Sequence, residues 1–288
     1  MSPGNTSTSA FLALWNDIDP PRITEYERWH TLEHVPERVW VPGFLSGTRY
    51  VATRSGQPRY FTRYDLNDLS ALATPAYQDL VEHPTPWSAS MRPAFSNLLR
   101  KPCQRVALVG TTQGAALLVM RLVWAGPIGR DAAARSAHQV LTQGARDVVT
   151  RVTVGRVQPA GPQAMGNVDD APEGDEWIYM IEATDPEQLA TVEASARTVL
   201  SAMAADPTTQ QTGTTMPRAS PTPPHADSRA RQVQPDPGPG VQPLWLAATH
   251  YRYASQVLHA NVARPGRPAA RIDLMASSEI TPSVPPKR

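Results

Sequence analysis

The chain has a single cysteine, Cys103, so no internal disulfide can form and no cysteine-based zinc site can be assembled. It has almost no charge of one sign to spare: 27 basic residues face 26 acidic ones, a formal net of +1. A dedicated polyanion binder usually carries a basic domain or stripe, so nucleic acid is not an expected partner. No apolar run approaches the roughly 20 residues that span a bilayer, and Met1 to Ala10 shows no basic segment followed by an apolar one. Neither a membrane span nor a secretory leader is therefore expected. G-x-S-x-G, Walker and G-x-G-x-x-G patterns are missing, which removes the usual marks of serine hydrolases and of phosphate- or dinucleotide-binding loops. A cytoplasmic protein of a reducing compartment is the default expectation.

What the chain has in excess is proline, thirty in all. Nine fall between Asp206 and Pro243, a stretch with no Phe, Trp or Tyr and few large aliphatics. Such a segment cannot bury enough apolar surface to offset its chain entropy. Residues 206–243 are thus expected to be a disordered linker, and 259–288 a flexible tail.

Between these segments the hydrophobic periodicity switches regularly. Ala10 to Trp15 is strand-like, and Asp19-Pro20-Pro21 can start a helix carrying Ile23, Tyr26, Leu32 and Val35 at helical spacing. Pro36 should break that helix and Pro42-Gly43 end it. Thr48 to Thr53 and Arg59 to Leu66 read as strands, Asn67 to His83 as a helix, and Phe95 to Val109 as a closing strand interrupted by Pro102. The order β-α-β-β-α-β then recurs from Ala115 onward, with its last strand expected at Leu244 to Tyr253. The predicted fold class is α+β: two tandem ferredoxin-like units, 8–110 and 113–205, the second completed by 244–258. Because each sheet would have helices on one face only, the sheets should close on each other as a pseudo-dimeric α+β barrel with a cavity between them.

Chemistry is concentrated in Trp29-His30-Thr31-Leu32-Glu33-His34-Val35-Pro36-Glu37-Arg38. His30 and His34 are four apart and neighbours on a helix, and Glu33 and Glu37 adjoin them. Such groups are costly to bury unpaired. The functional reading makes His34 the acid or base, supported by His30 and oriented by Glu33 or Glu37. The plain alternative is a solvated helix end with Glu33 or Glu37 paired to Arg28 or Arg38. His30 to His34 also matches the zinc motif H-x-x-E-H, but a third ligand would have to come from Glu82 or His83, and no metal is expected. Trp29, Tyr60, Tyr64, Trp87 and Arg49 are the expected substrate-binding residues. Tyr60 and Tyr64 share a strand face, and Arg49 or Arg63 could grip a carboxylate, with ion pairing as their other role. His138 falls near the position of His30 in the second unit without acidic neighbours, so that unit is expected to be a scaffold.

The pattern from Leu12-Ala13-Leu14-Trp15 through Glu25-Tyr26, Trp29-His30, Glu33-His34-Val35-Pro36-Glu37-Arg38 and Val41-Pro42-Gly43-Phe44 to Arg49-Tyr50, Trp87, Met91, Arg92 and Pro93 resembles the EthD-like branch of the dimeric α+β barrel superfamily. Relatives there include cofactor-free monooxygenases, polyketide cyclases, lactone isomerases, haem peroxidases and chlorite dismutases. The resemblance implies a small-molecule pocket between sheet and helices with a histidine at its edge. The leading expectation is general acid/base chemistry, without a cofactor, on a small aromatic or polyketide-like molecule. A non-catalytic carrier of a hydrophobic metabolite and a haem protein with a histidine ligand are the alternatives. The chain could work as a monomer with an internal pseudo-dimer or as a homodimer.

Overall fold

The computed structural model describes residues 9–124, 128–143, 145–159, 172, 174–204 and 243–275. The expected proline-rich linker lies outside the described residues but for Pro243. Strands β1 (Ala10–Ile18), β2 (Phe44–Ala52), β3 (Tyr60–Leu66), β4 (Phe95–Gly110), β5 (Ala116–Val123), β6 (Val149–Val157), β7 (Glu176–Ala183) and β8 (Leu244–Leu258) form one closed antiparallel barrel in the order β1-β3-β2-β8-β5-β7-β6-β4. The two longest strands join its halves. β4 pairs with β1 through Phe95 to Gln104 and with β6 through Cys103 to Gly110. β8 pairs with β5 at its start and with β2 at its end. The orders β4-β1-β3-β2 and β8-β5-β7-β6 repeat one positional scheme. Pro102 does not interrupt β4: its carbonyl accepts from the Gln158 N–H at 2.8 Å, and its missing donor falls where the strand passes from one partner to the next.

Bulky side chains pack the barrel interior, the place expected for a cavity between the sheets. Phe11, Ala13 and Trp15 of β1 meet Tyr50, Phe61, Val119, Met180 and Tyr251 in one buried cluster. On these same inward faces lie two ion-pair groups. Glu182 takes Arg63 at 3.1 Å and Arg151 at 2.6 Å, and Glu176 takes Lys101 at 2.7 Å and Arg121 at 2.6 Å. β5 and β7 are buried at every position, because helices cover the outer face of the same strands.

Outside the second half, α5 (Arg130–Gln143) and α6 (Leu189–Ala204) pack closely on the sheet. Ala133, Ala137, Val192 and Leu200 sit on Leu118, Met120, Tyr179 and Ile181, and His138 is exposed. Outside the first half, α1 (Ile23–Trp29), a π-helical turn (His30–His34) and α2 (Val35–Trp40) run as one continuous helix, followed by α3 (Pro75–Glu82) and α4 (Pro86–Met91). No helix among the described residues is long and apolar enough to cross a membrane.

Two expectations need correction here. The helix does not break at Pro36. The Val35 N–H reaches the His30 carbonyl, five residues back, so proline's missing donor coincides with a turn whose bonding is already shifted. The tail is not loose from 259. Residues 259–275 include α7 (His259–Val262) and α8 (Ile272–Met275) and lie along the helix that carries His30 and His34. Val39 O accepts from His259 Nδ1 at 2.6 Å, and Arg264 O accepts from Trp40 Nε1 at 3.0 Å.

Candidate functional site

The helix is seated by local chemistry. Gly43, with φ +96°, takes the left-handed turn that ends it. Gly47 of β2 lets it approach, since a Cβ there would stand 2.6 Å from Val35 Cγ1. Arg49 of β2 braces the π turn: its guanidinium donates to Thr31 Oγ1 and to Glu27 at 2.8 Å, and lies over the Tyr26 ring. An inserted π turn commonly marks a functional position. Here it brings the two imidazoles face to face, with ring centroids 5.1 Å apart and planes 21° from parallel. His30 also stacks on Tyr26, and His34 lies 4.4 Å from the Trp29 ring.

Both histidines titrate well below the ordinary value of 6.5. Burial is the main cause, and the nearby guanidiniums push the same way: Arg49 and then Arg38 for His30, Arg38, Arg92 and Arg49 for His34. At neutral pH both are uncharged. Neither Nδ1 has a hydrogen-bond partner.

Glu33 and Glu37 do not orient them. Glu33 Oε1 accepts from Thr85 Oγ1 at 2.6 Å, and its Oε2 accepts from the Arg271 N–H at 2.6 Å. Glu37 Oε1 accepts from Arg267 Nε at 2.9 Å and Nη2 at 2.7 Å, and burial raises its pKa. These carboxylates fasten the C-terminal segment to the helix. That arrangement also opposes the zinc reading, because the glutamate of H-x-x-E-H is already taken.

A cavity of about 130 Å³ lies between this helix and the outer face of the first-half sheet. Its floor is Leu12, Leu14, Asn16, Thr62, Tyr64 and Arg100, and its roof is Trp29, His30, His34 and Arg38. Tyr77, Gln78 and Val81 of α3, with Ser88, Arg92 and Phe95, form the sides. The cavity thus gathers His30, His34, Trp29 and Tyr64 from the residues expected at the site. The others lie elsewhere. Tyr60 packs on Tyr26 at 4.4 Å, Trp87 Nε1 donates to Glu25 at 3.0 Å, Arg49 braces the π turn, and Arg63 is inside the barrel with Glu182. Arg38, Arg92, Tyr77 and Gln78 were not foreseen as lining. The signal for Arg38 was present: His30, His34 and Arg38 recur at intervals of four, yet the arginine reads from sequence as an ion-pair partner of Glu33 or Glu37.

No family model and no curated protein matches the chain. Solved structures do resemble it. An anthrone oxidase-like protein superposes with TM-score 0.51 at 8% identity, covering 89% of this chain and 95% of that one. A provisionally named monooxygenase from Fusobacterium nucleatum gives TM-score 0.41 at 11% identity over 65% of this chain and 82% of that one. Another from Lactobacillus acidophilus gives 0.42 at 8% over 87% and 97%. At 8% identity the likeness to the first of these is one of overall fold.

Proposed function

We propose that the chain is a general acid/base enzyme acting, without a bound redox cofactor, on a small aromatic or polyketide-like molecule held in the helix-side cavity. His34 is the proton acceptor and His30 its neighbour. One observation carries the reading: two uncharged, stacked imidazoles share a ring-sized cavity with Arg38 and Arg92. A neutral imidazole can take a proton from an acidic C–H or O–H, and the guanidiniums stabilise the enolate or phenolate left behind. That step opens isomerisation, cyclisation and cofactor-free oxygenation alike. The volume is close to the roughly 150 Å³ of an engineered cavity that binds benzene, which favours a one-ring compound. In the same reading the barrel is a fused pair of ferredoxin-like units, supported by the repeated strand order, and its first unit is EthD-like. A barrel closed within one chain supports a monomeric working unit.

The test is deuterium exchange at the acidic carbon of enolisable aryl ketones in D₂O, followed by NMR. The chain should accelerate exchange, and His34→Ala should lower the acceleration about 10²-fold or more while the melting temperature holds. Exchange at the buffer rate, or equal rates for wild type and His34→Ala, would remove the proposal.

A further inference from the structure

We infer that the cavity carries a built carboxylate subsite, formed by Arg38 and Arg92 with Tyr64, and that its ligand is a ring compound bearing a carboxylate. This deepens the reading above and rests on it for the identity of the working cavity.

Arg38 belongs to α2 and Arg92 to the turn after α4, yet both hang from successive carbonyls at the end of α3. Arg38 Nη2 donates to Leu80 O at 3.5 Å and Arg92 Nη2 to Val81 O at 2.7 Å. The two guanidiniums are thereby held at one side of the cavity, and the charge of Arg38 adds to burial in lowering the pKa of Arg92. Like charges brought together in a partly buried site repel, so a counter-ion is needed to offset them. The protein supplies none at ion-pair distance among the described residues. Glu37, on the same helix, feels the charge of Arg38, but its ion pair is with Arg267.

The donors that remain face the same need. Arg38 is 9% exposed, and its Nη1 is buried with no hydrogen-bond partner. The Tyr64 hydroxyl, also lining the cavity, is buried without a partner. A buried donor left unmade costs about 1–3 kcal/mol, more when charged, and protein folds seldom retain two in one cavity unless something else satisfies them. A carboxylate matches the set. Its two oxygens offer about four acceptor positions, which suit the phenol and the planar donor fork of arginine while leaving other N–H groups of the two guanidiniums for the enolate or phenolate. The ring would then lie beneath Trp29 and the two imidazoles, with its reacting position on their side.

Calorimetric titration of the full chain with benzoate and with benzamide tests this. Benzoate should bind about tenfold or more tightly than its neutral isostere, as a charge-assisted contact requires, and the preference should shrink with added salt. Arg38→Gln should abolish the preference. Arg92→Gln, at a less buried position, should do the same and serves where Arg38→Gln does not fold. Equal affinities in the wild type, failure of both probes to bind, or a preference that survives both substitutions would each overturn the subsite. The failures are separable: benzoate preference without deuterium exchange leaves the subsite and removes the acid/base chemistry, whereas exchange without the preference does the reverse.

Discussion

At the scale of single residues, the site differs from the usual histidine–carboxylate pair. His30 and His34 have guanidiniums for neighbours instead of carboxylates, so burial and charge both keep them neutral. A consequence for stability follows from proton linkage. Above pH 6.5 the folded and unfolded chains both hold neutral imidazoles here, and these residues contribute no pH dependence. Below 6.5 the unfolded chain takes up protons that the folded one refuses, so stability falls as pH drops toward the lower folded values. Thermal melts from pH 7.5 to 5 should show this loss, and the double substitution His30→Gln/His34→Gln should flatten it. An unchanged acid slope in the double variant would mean that the rings are not held neutral.

At the scale of elements, the C-terminal segment and the helix of His30 and His34 are held together. Glu37 is 1% exposed, and Arg267 is its ion-pair partner. Arg267→Ala should therefore destabilise by about 2 kcal/mol, on the scale of a buried polar group losing its partner, and Glu37→Gln added to it should recover a good part of that loss. Urea unfolding of the wild type, the two single variants and the double variant gives the four corners of the cycle. This partnership also shows the limit of the sequence. The histidines, their shared face and the helix itself were legible because spacing of three and four is a local signal. The π turn was not, because it depends on Arg49 bracing Thr31 from another strand. The partners of Glu33 and Glu37 were not, because Thr85 is 52 residues from Glu33 and Arg271 and Arg267 are 238 and 230 residues from Glu33 and Glu37, and without them both carboxylates read as solvated or as catalytic orienters.

At the scale of the whole molecule, the recurring β-α-β-β-α-β order was legible as alternating periodicities, and the closed barrel followed from the need to cover two half-apolar sheets. Where the hollow would lie was not legible. A strand buried on both faces gives no sign of which face meets bulky neighbours, and Trp15, Phe61 and Tyr251 fill the interior while α5 and α6 fill the outer face of the second half. The first half keeps a gap beneath its helix. The interior charges are structural in this arrangement. Removing Glu182, which is 0% exposed, leaves Arg151 without its acid and Arg63 with Asp65 alone at 3.3 Å, and Glu182→Ala should destabilise by about 3 kcal/mol in denaturant titrations. A small loss would mean that water enters the barrel.

The long reach from Glu37 to Arg267 also bears on the order in which the molecule is made. During synthesis the helix bearing His30 and His34 leaves the ribosome early, together with its buried acids. The segment that neutralises Glu37 and caps Glu33 follows only after more than two hundred further residues. Contacts so distant in sequence form late in folding. The first barrel half can thus assemble its strands well before the helix of His30 and His34 is finally secured, and residues 259–275 fasten a helix made long before them.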